Sequence, residues 1–589
     1  MRSAVLVLLF LLAIASLPAP AEARAPDNIY FERAELTYSI NSDWSTDVQM
    51  EFTLVNNSKF QKITSISRSI PSSNLQNINV YDEDGKPLRH TEDKSNDQTT
   101  IEVFFDGRAG PGDRLTYFIT FTAPDLLTEH GPKHEAWLGG LKLGPNDLRY
   151  DDYVVEVRSP PGARLFLHKP PSARLDNGNI RYETQLIPPQ NFSGVYGVWY
   201  PEVTYYGLTL SEEFINPGPG ATKDIQLDVE LFSHADWQFA AVTGSSVPLE
   251  TMYVDEENNW HGVFQVERLD PGQGENIRIN LVFLNSTFES GANENNTGLL
   301  SDVPGSLEPY LCGDKYWEVD DELIQQRAWE VVGGTNNAYL AAEEIVGFVD
   351  SYVKYKTTTE RKGAVETLIS KEGDCDCFSD LTIALSRAVG LPARLDMGWT
   401  YNGSELGGHA WVEFYLPNHG WVPADPLWAQ NSGDYMGRLD SAHVLRSVRG
   451  LRSEDSHAQF AYRGTKPSIH EYKSVIMLSE FGASSEFISA AGIAVKIARE
   501  LLGESGENLA QELALAENYL QQARESSSPS HRLALSQESL KHANVVIRAL
   551  GKPPEGSSPF NQLEFLLLGI VVALAVVGAA GVWWHTRRK

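Results

Sequence analysis

Three side chains able to share a proton around a nucleophile occur in order within one short stretch of this chain: Cys375, His409 and Asp425. Cys375 lies in Gly373-Asp374-Cys375-Asp376-Cys377-Phe378-Ser379-Asp380-Leu381 and His409 in Gly408-His409-Ala410-Trp411-Val412-Glu413. Asp425 closes Gly420-Trp421-Val422-Pro423-Ala424-Asp425-Pro426. A thiol, an imidazole and a carboxylate can serve as nucleophile, base and the group that orients the base, which is the raw material of a Cys-His-Asp nucleophilic site. Singly, each has a plainer use: a cysteine at a helix start packs, a histidine opening a strand is structural, and an aspartate before proline makes a turn. Together they point to a site.

The elements that would carry them are legible nearby. Leu381, Ala384, Leu385 and Ala388 fall at i, i+3, i+4 and i+7, which predicts a helix from Asp376 to Val389, stopped by Gly390 and Pro392. Cys375 then sits at the helix N-terminus, where free N–H groups and the macrodipole favour a thiolate and could hold an oxyanion. Asp374, Asp376 and Asp380 oppose this, so a nearby imidazolium has to outweigh them. Ala410 to Tyr415 alternates as a strand, Pro417-Asn418-His419-Gly420 turns, and Trp421 to Ala424 reads as a second, shorter strand. That hairpin would bring His409, near the start of one strand, within reach of Asp425 at the end of its neighbour.

These motifs resemble the transglutaminase-like superfamily of papain-like Cys-His-Asp enzymes, especially its secreted prokaryotic members. That family's pattern has a Gly-x-Cys start, a helix ending Arg-Ala-x-Gly-Ile-Pro-Ala-Arg, then His-Ala-Trp-x-Glu and Gly-Trp-x-x-x-Asp-Pro. Here Arg387-Ala388-Val389-Gly390-Leu391-Pro392-Ala393-Arg394 differs only by Leu391 for isoleucine. The resemblance covers roughly Leu307 to Ser474 and implies Cys375 as nucleophile, His409 as general base and acid, and Asp425 as orienting carboxylate. The spacing to Arg394 matches Cys375, not Cys377, to the nucleophile. Cys377 stands where the family commonly has an acidic or other polar residue. The implied activity is acyl transfer through a cysteine thioester, with peptide or amide hydrolysis favoured over cross-linking. The rival reading is a cell-surface binding or envelope protein that does no chemistry. No metal or organic cofactor is implied, and the expected partner is a protein or peptide substrate at the cell surface.

The chain has 589 residues, enough for several domains, and a formal net charge of −30 from 78 acidic and 48 basic residues. That balance disfavours nucleic acid and anionic lipid surfaces as partners. Three cysteines make no disulfide framework. Arg2, the apolar run Ala4 to Ala15 and Ala21-Glu22-Ala23 read as a signal peptide. Phe565 to Trp584 is uncharged and long enough to cross a bilayer, and the basic end after it places Lys589 in the cytoplasm. A cell-membrane protein with one span and its ectodomain outside is expected; removal of the anchor after export is the alternative.

The expected architecture is multidomain: N-terminal β-sandwiches, an α+β transglutaminase-like core, a helical bundle and one transmembrane helix. A signal peptide (1–24) precedes a β-sandwich (25–127), a second β domain (128–200) and an immunoglobulin-like sandwich (201–290), all rich in period-two alternation. A linker (291–306), the catalytic domain (307–480) and a helical bundle (481–551) follow. A linker (552–562), the membrane span (563–584) and a short tail (585–589) complete the chain. Ser485 to Leu502, Glu507 to Arg524 and Pro529 to Leu550 carry apolar residues at helical spacing and read as a stalk. Sequons at Asn56, Asn191, Asn285, Asn295 and Asn402 are glycosylation candidates for an exported chain.

Overall fold

The computed structural model describes residues 28–141, 148–187, 192–403, 405–429, 435–454, 456–503 and 507–553. The expected signal peptide, membrane span, cytoplasmic tail and Asn191 lie outside the described residues. The chain divides into two compact units, the first drawn from Met1–Thr128, Ala136–Pro161 and His168–Gly197 and the second from the rest.

In the first unit, Ile29–Ile40 alternates inward and outward, burying Ala34, Leu36, Tyr38 and Ile40. Alternation of this kind makes a strand with one face in the core. It pairs antiparallel with Thr46–Asn56 on one side and parallel with Tyr150–Arg158 on the other. The segments 25–127 and 128–200, read separately in the sequence, therefore share one seven-stranded sheet. A three-stranded sheet of Ser65–Ile70, Thr99–Phe104 and His90–Lys94 belongs to the same unit.

The second unit holds two four-stranded sheets with a common core. One orders Gln238–Ser245, Gly274–Ser286, Val203–Ile215 and Ser468–Leu478; the other orders Leu249–Val254, Asn259–Leu269, Thr222–Ser233 and Ala458–Gly464. Leu208, Leu210 and Phe214 from the first join Leu227, Val229 and Leu231 from the second in that core. Each such side chain contributes about 1.5–3 kcal/mol by leaving water. The last strand of each sheet comes from 458–478, which the sequence reading allots to the 307–480 segment. The site region thus enters as an insertion between strands of one pair of sheets.

Within the insertion, helix α1 (Glu322–Val332) starts at Asp321, whose carboxylate accepts from the Leu323 N–H, and ends at left-handed Gly333. Helix α2 (Ala338–Tyr352) starts at Asn337 in the same way. A short α3 (Ala364–Ser370) precedes α4 (Cys375–Ala388), whose residues from Cys377 to Arg387 are all buried. An antiparallel sheet, ordered Gly420–Ala424, Leu406–Leu416, Ala393–Tyr401 and His443–Arg449, packs on α4.

Three helices close the described chain: α5 (Glu480–Leu502), α6 (Glu507–Glu525) and α7 (Pro529–Leu550). Phe487 and Ala491 of α5 and Ala543 and Ile547 of α7 belong to the core of the two four-stranded sheets. The helices expected as a stalk cover those sheets instead. Helix α5 is long and apolar enough to cross a membrane by length and composition, and half of its apolar window is buried inside the protein.

Candidate active site

Helix α4 presents Cys375 as its first residue, close to the predicted start. Gly373 permits this: a Cβ there would stand 2.2 Å from the Cys377 Cβ and 2.7 Å from its sulfur. Cys377 is fully buried behind Gly373 and packs, whereas Cys375 is only partly buried. The Cys375 thiol faces the backbone N–H groups of Ala410 and Asp376. Ala410 is the residue after His409, so the sheet and the helix start meet at the thiol. Burial pushes the Cys375 thiol up to about 12, and the Asp376 and Asp374 carboxylates push the same way against those two N–H groups. The expected lowering by the helix dipole is outweighed, and the resting thiol keeps its proton.

The sheet supplies the other two groups. His409 lies on Leu406–Leu416 opposite Gly398, and Asp425 directly follows the edge strand Gly420–Ala424, whose Ala424 pairs with Val412. His409 Nε2 and Asp425 Oδ2 are 2.6 Å apart, with both side chains buried. The sequence-predicted histidine and carboxylate are therefore in contact.

A fourth group was not anticipated. His443 opens the strand His443–Arg449 at the opposite edge of the sheet, and its Nε2 lies 3.1 Å from the same Asp425 Oδ2. Its Nδ1 lies 3.0 Å from Asp440 Oδ1. Asp425 Oδ1 meanwhile accepts from the Leu427 and Trp428 N–H groups, both at 2.9 Å. A bulge at Met397/Gly398 lets the His443 strand close up, since the Val444 carbonyl oxygen occupies the place of a Gly398 Cβ, 2.0 Å away.

The protonation pattern follows from these contacts. Burial works to raise the Asp425 carboxyl, but the His409 and His443 rings outweigh it and hold the group well below the usual carboxylate range. Burial works to lower His443, yet the Asp440 charge and the Asp425 hydrogen bond raise it to about 9. A ring between two carboxylates donates from both nitrogens and is an imidazolium. With Asp425 accepting at both oxygens, His409 Nε2 carries the proton of that bond and Nδ1 is the nitrogen available as a base. Rings wall the cluster: Trp428 meets His443 edge-on at 4.5 Å, and Trp411 stacks on His409 at 5.8 Å.

Donor atoms of His409, Asp425 and His443 all lie within 4.8 Å of one another, close enough to suggest a metal centre. The 2.6 Å His409–Asp425 separation argues for a hydrogen bond instead. Two ligands bound at ~2.1 Å to a tetrahedral metal would stand about 3.4 Å apart. In a second such group, Glu230, Asp255 and His261, the members are engaged elsewhere: Glu230 pairs with Arg449 and His457, and His261 Nδ1 with Asp228.

The charged residues around α4 have structural partners. Asp380 accepts from Arg361 and from the Trp317 Nε1–H at 2.9 Å, and burial raises its carboxyl to about 6 against the pull of Arg361. Arg387 donates to the Ala393 and Gly450 carbonyls, tying the end of α4 to the sheet and to the chain beyond it. Arg394 donates to Glu413 at 2.5 Å and stacks on Trp421 at 4.2 Å. The two arginines of the Arg-Ala-x-Gly-x-Pro-Ala-Arg run thus brace helix and sheet.

Residues 325–426 match the family model of the transglutaminase-like superfamily. They form a transglutaminase-like domain. It contains all three sequence-predicted groups and stops short of His443 and Asp440. The uncharacterized protein YebA of Bacillus subtilis (strain 168) is 26% identical over 149 residues, 21% of this chain and 20% of YebA, so the match spans about a fifth of that relative. A provisionally assigned cysteine protease from Cytophaga hutchinsonii is similar in structure, with TM-score 0.35, 16% identity and coverage of 47% of this chain and 91% of that one. The periplasmic domain of TgpA from Pseudomonas aeruginosa, bound to ethylmercury, has TM-score 0.22, 13% identity and coverage of 38% and 90%.

Two of the glycosylation candidates are buried. Asn56 is buried, with Nδ2 donating to the Gln61 and Ala109 carbonyls, and Asn285 is buried with Nδ2 on the His443 carbonyl. Neither amide nitrogen is open to a glycan in the fold. Asn295 and Asn402 are exposed.

Proposed function

We propose that the transglutaminase-like domain is a cysteine hydrolase of peptide or amide bonds, acting through a thioester on Cys375. The observation that carries this reading is the buried His409–Asp425 hydrogen bond beside the start of α4. His409 is hydrogen-bonded to an ionised Asp425, and the thiol lies against the backbone of the next residue, Ala410.

In the first half-reaction, Cys375 Sγ attacks the substrate carbonyl carbon while its proton passes to His409 Nδ1. The imidazolium so formed is stabilised by Asp425. Amide groups at the start of α4 are placed to take the developing oxyanion. His409 then returns the proton to the leaving amine, the C–N bond breaks and a thioester remains. In the second half, His409 takes a proton from water, hydroxide adds to the thioester, and Cys375 leaves with its proton restored. A thiol raised to about 12 at rest fits concerted deprotonation better than a standing thiolate pair.

The same reading places the protein outside the cell, exported by residues 1–24 and held by a span over 563–584. The first unit and the two four-stranded sheets then serve as sandwich-type supports, and Asn295 and Asn402 as the glycan sites still open. Incubating the protein with quenched peptide amides, with and without a lysine-like primary amine, tests the reaction. Release of free carboxylate, little changed by the amine, is expected. Incorporation of the amine in preference to water would assign cross-linking instead.

A further inference from the structure

Helix α4 begins with the nucleophile and follows it at once with Asp376, an acidic residue in its first turn. Asp376 is half-buried, so its carboxylate is within reach of solvent. Among the described residues, no group hydrogen-bonds to that carboxylate or forms an ion pair with it. The other charged groups around the start of α4 are engaged. Asp374 Oδ2 accepts from the Thr358 N–H at 3.2 Å and from the Thr358 hydroxyl at 2.6 Å. Arg361 donates to Asp380 and to the Ser453 carbonyl, both at 2.7 Å. Lys356 pairs with Glu372 at 2.6 Å, and Lys362 donates to the Glu372 carbonyl at 3.1 Å.

An unpaired carboxylate in this place works against the reaction. Burial and the Asp374 carboxylate raise the Asp376 carboxyl, while the Arg361 and His409 charges hold it down. After burial, Asp376 is in turn the strongest influence raising Cys375. A negative charge in the first turn suits the helix dipole, but it opposes a nucleophile that has to become an anion. A positive group carried by the substrate reverses that opposition at the moment of attack, because it pairs with Asp376 and eases ionisation of the thiol.

On the reading of the domain as a hydrolase, on which this assignment rests, we propose that Asp376 is a specificity-determining residue that receives a cationic side chain, lysine- or arginine-like, from the peptide residue next to the scissile bond. The net charge of −30 draws cations toward the whole protein. Pairing at Asp376 places one beside Cys375.

The first test needs no turnover. The full chain is modified with a cationic methanethiosulfonate, the 2-(trimethylammonio)ethyl compound, or an anionic one, the 2-sulfonatoethyl compound, and each thiol is followed by mass spectrometry. Exposed Cys312 reports the general attraction of an acidic protein for cations. The cation-to-anion rate ratio at Cys375 should exceed that at Cys312 by about tenfold. Asp376→Asn should lose most of that excess, and Asp376→Glu should keep it. A ratio at Cys375 no larger than at Cys312, or an excess untouched in Asp376→Asn, overturns the proposal. The second test compares peptide amides with lysine, norleucine or glutamate next to the scissile bond, on the acyl side in one series and on the leaving side in another. In one series lysine should lead norleucine in kcat/KM by about tenfold, with glutamate slowest, and Asp376→Asn should level the three. Equal cleavage throughout both series overturns the proposal and leaves hydrolysis standing. No cleavage of any peptide, with the thiol preference intact, overturns the hydrolase reading and leaves the cation-binding role of Asp376.

Discussion

The two halves of the candidate site are built on opposite terms. On the sheet, Asp425 takes hydrogen bonds from two rings and two backbone N–H groups, so its buried charge is satisfied on every side. On the helix, burial and then the Asp376 and Asp374 carboxylates oppose the Cys375 anion, and only backbone N–H groups favour it. The contrast teaches that the charged form is stored in the His–Asp pair and withheld from the nucleophile. A thiolate then arises only in the step that uses it, which protects the resting thiol from adventitious oxidation.

The largest break in that contrast should come from Asp425→Asn. It leaves shape intact but removes the charge that orients His409, and acylation of Cys375 is expected to slow by about 10³–10⁴-fold, as for loss of a triad carboxylate. Stopped-flow acylation kinetics measure this directly.

Next in size is His443→Gln, which leaves Asp440 and Asp425 without their shared cation. Removing one partner of a buried pair costs about 3–5 kcal/mol, readable by chemical denaturation. The pH dependence has a definite sign. His443 is raised to about 9 in the fold, so its contribution is complete below its unfolded value near 6.5 and is lost as pH climbs through about 9. Asp425 is depressed, so its contribution holds above about 3.9 and is lost as pH falls through its lower folded value. Native stability should therefore decline between about pH 6.5 and 9, and His443→Gln should flatten that decline.

How much of this was readable in advance depends on the range of the interaction. The helix after Cys375, its stop at Gly390-Leu391-Pro392 and the hairpin through Asn418 are local, and periodicity and turn chemistry declare them. The His409–Asp425 contact was readable because both residues belong to one hairpin. His443 was not: it lies across the sheet from Asp425, and a lone histidine opening a strand carries no mark of a shared carboxylate. The strands 458–464 and 468–478 alternate like any others, and nothing local says that they return to sheets begun at Val203 and Thr222. Asn56 and Asn285 satisfy the sequon, but their burial is a property of the folded sheets.

A smaller effect sharpens the helix side. Asp376→Asn removes a charge that raises the thiol, so alkylation of Cys375 at neutral pH should quicken. Because a lower pKa also blunts nucleophilicity, the gain should be about threefold per unit of lowering, not tenfold. Unchanged alkylation kinetics would mean that Asp376 is not ionised beside the thiol.

The central claim is that Cys375 alone among the three thiols is the one His409 activates. Cys377 is buried behind Gly373, and Cys312 is exposed on a segment outside the site. The most direct measurement is trapping with a thiol-directed acyl probe, followed by mass spectrometry of the labelled peptide in the unaltered chain, Cys375→Ala and Cys377→Ser. Acylation on Cys375, absent from Cys375→Ala and largely kept in Cys377→Ser, is the expected result. Stable acylation on Cys377, or labelling that survives Cys375→Ala, would contradict the assignment of the nucleophile.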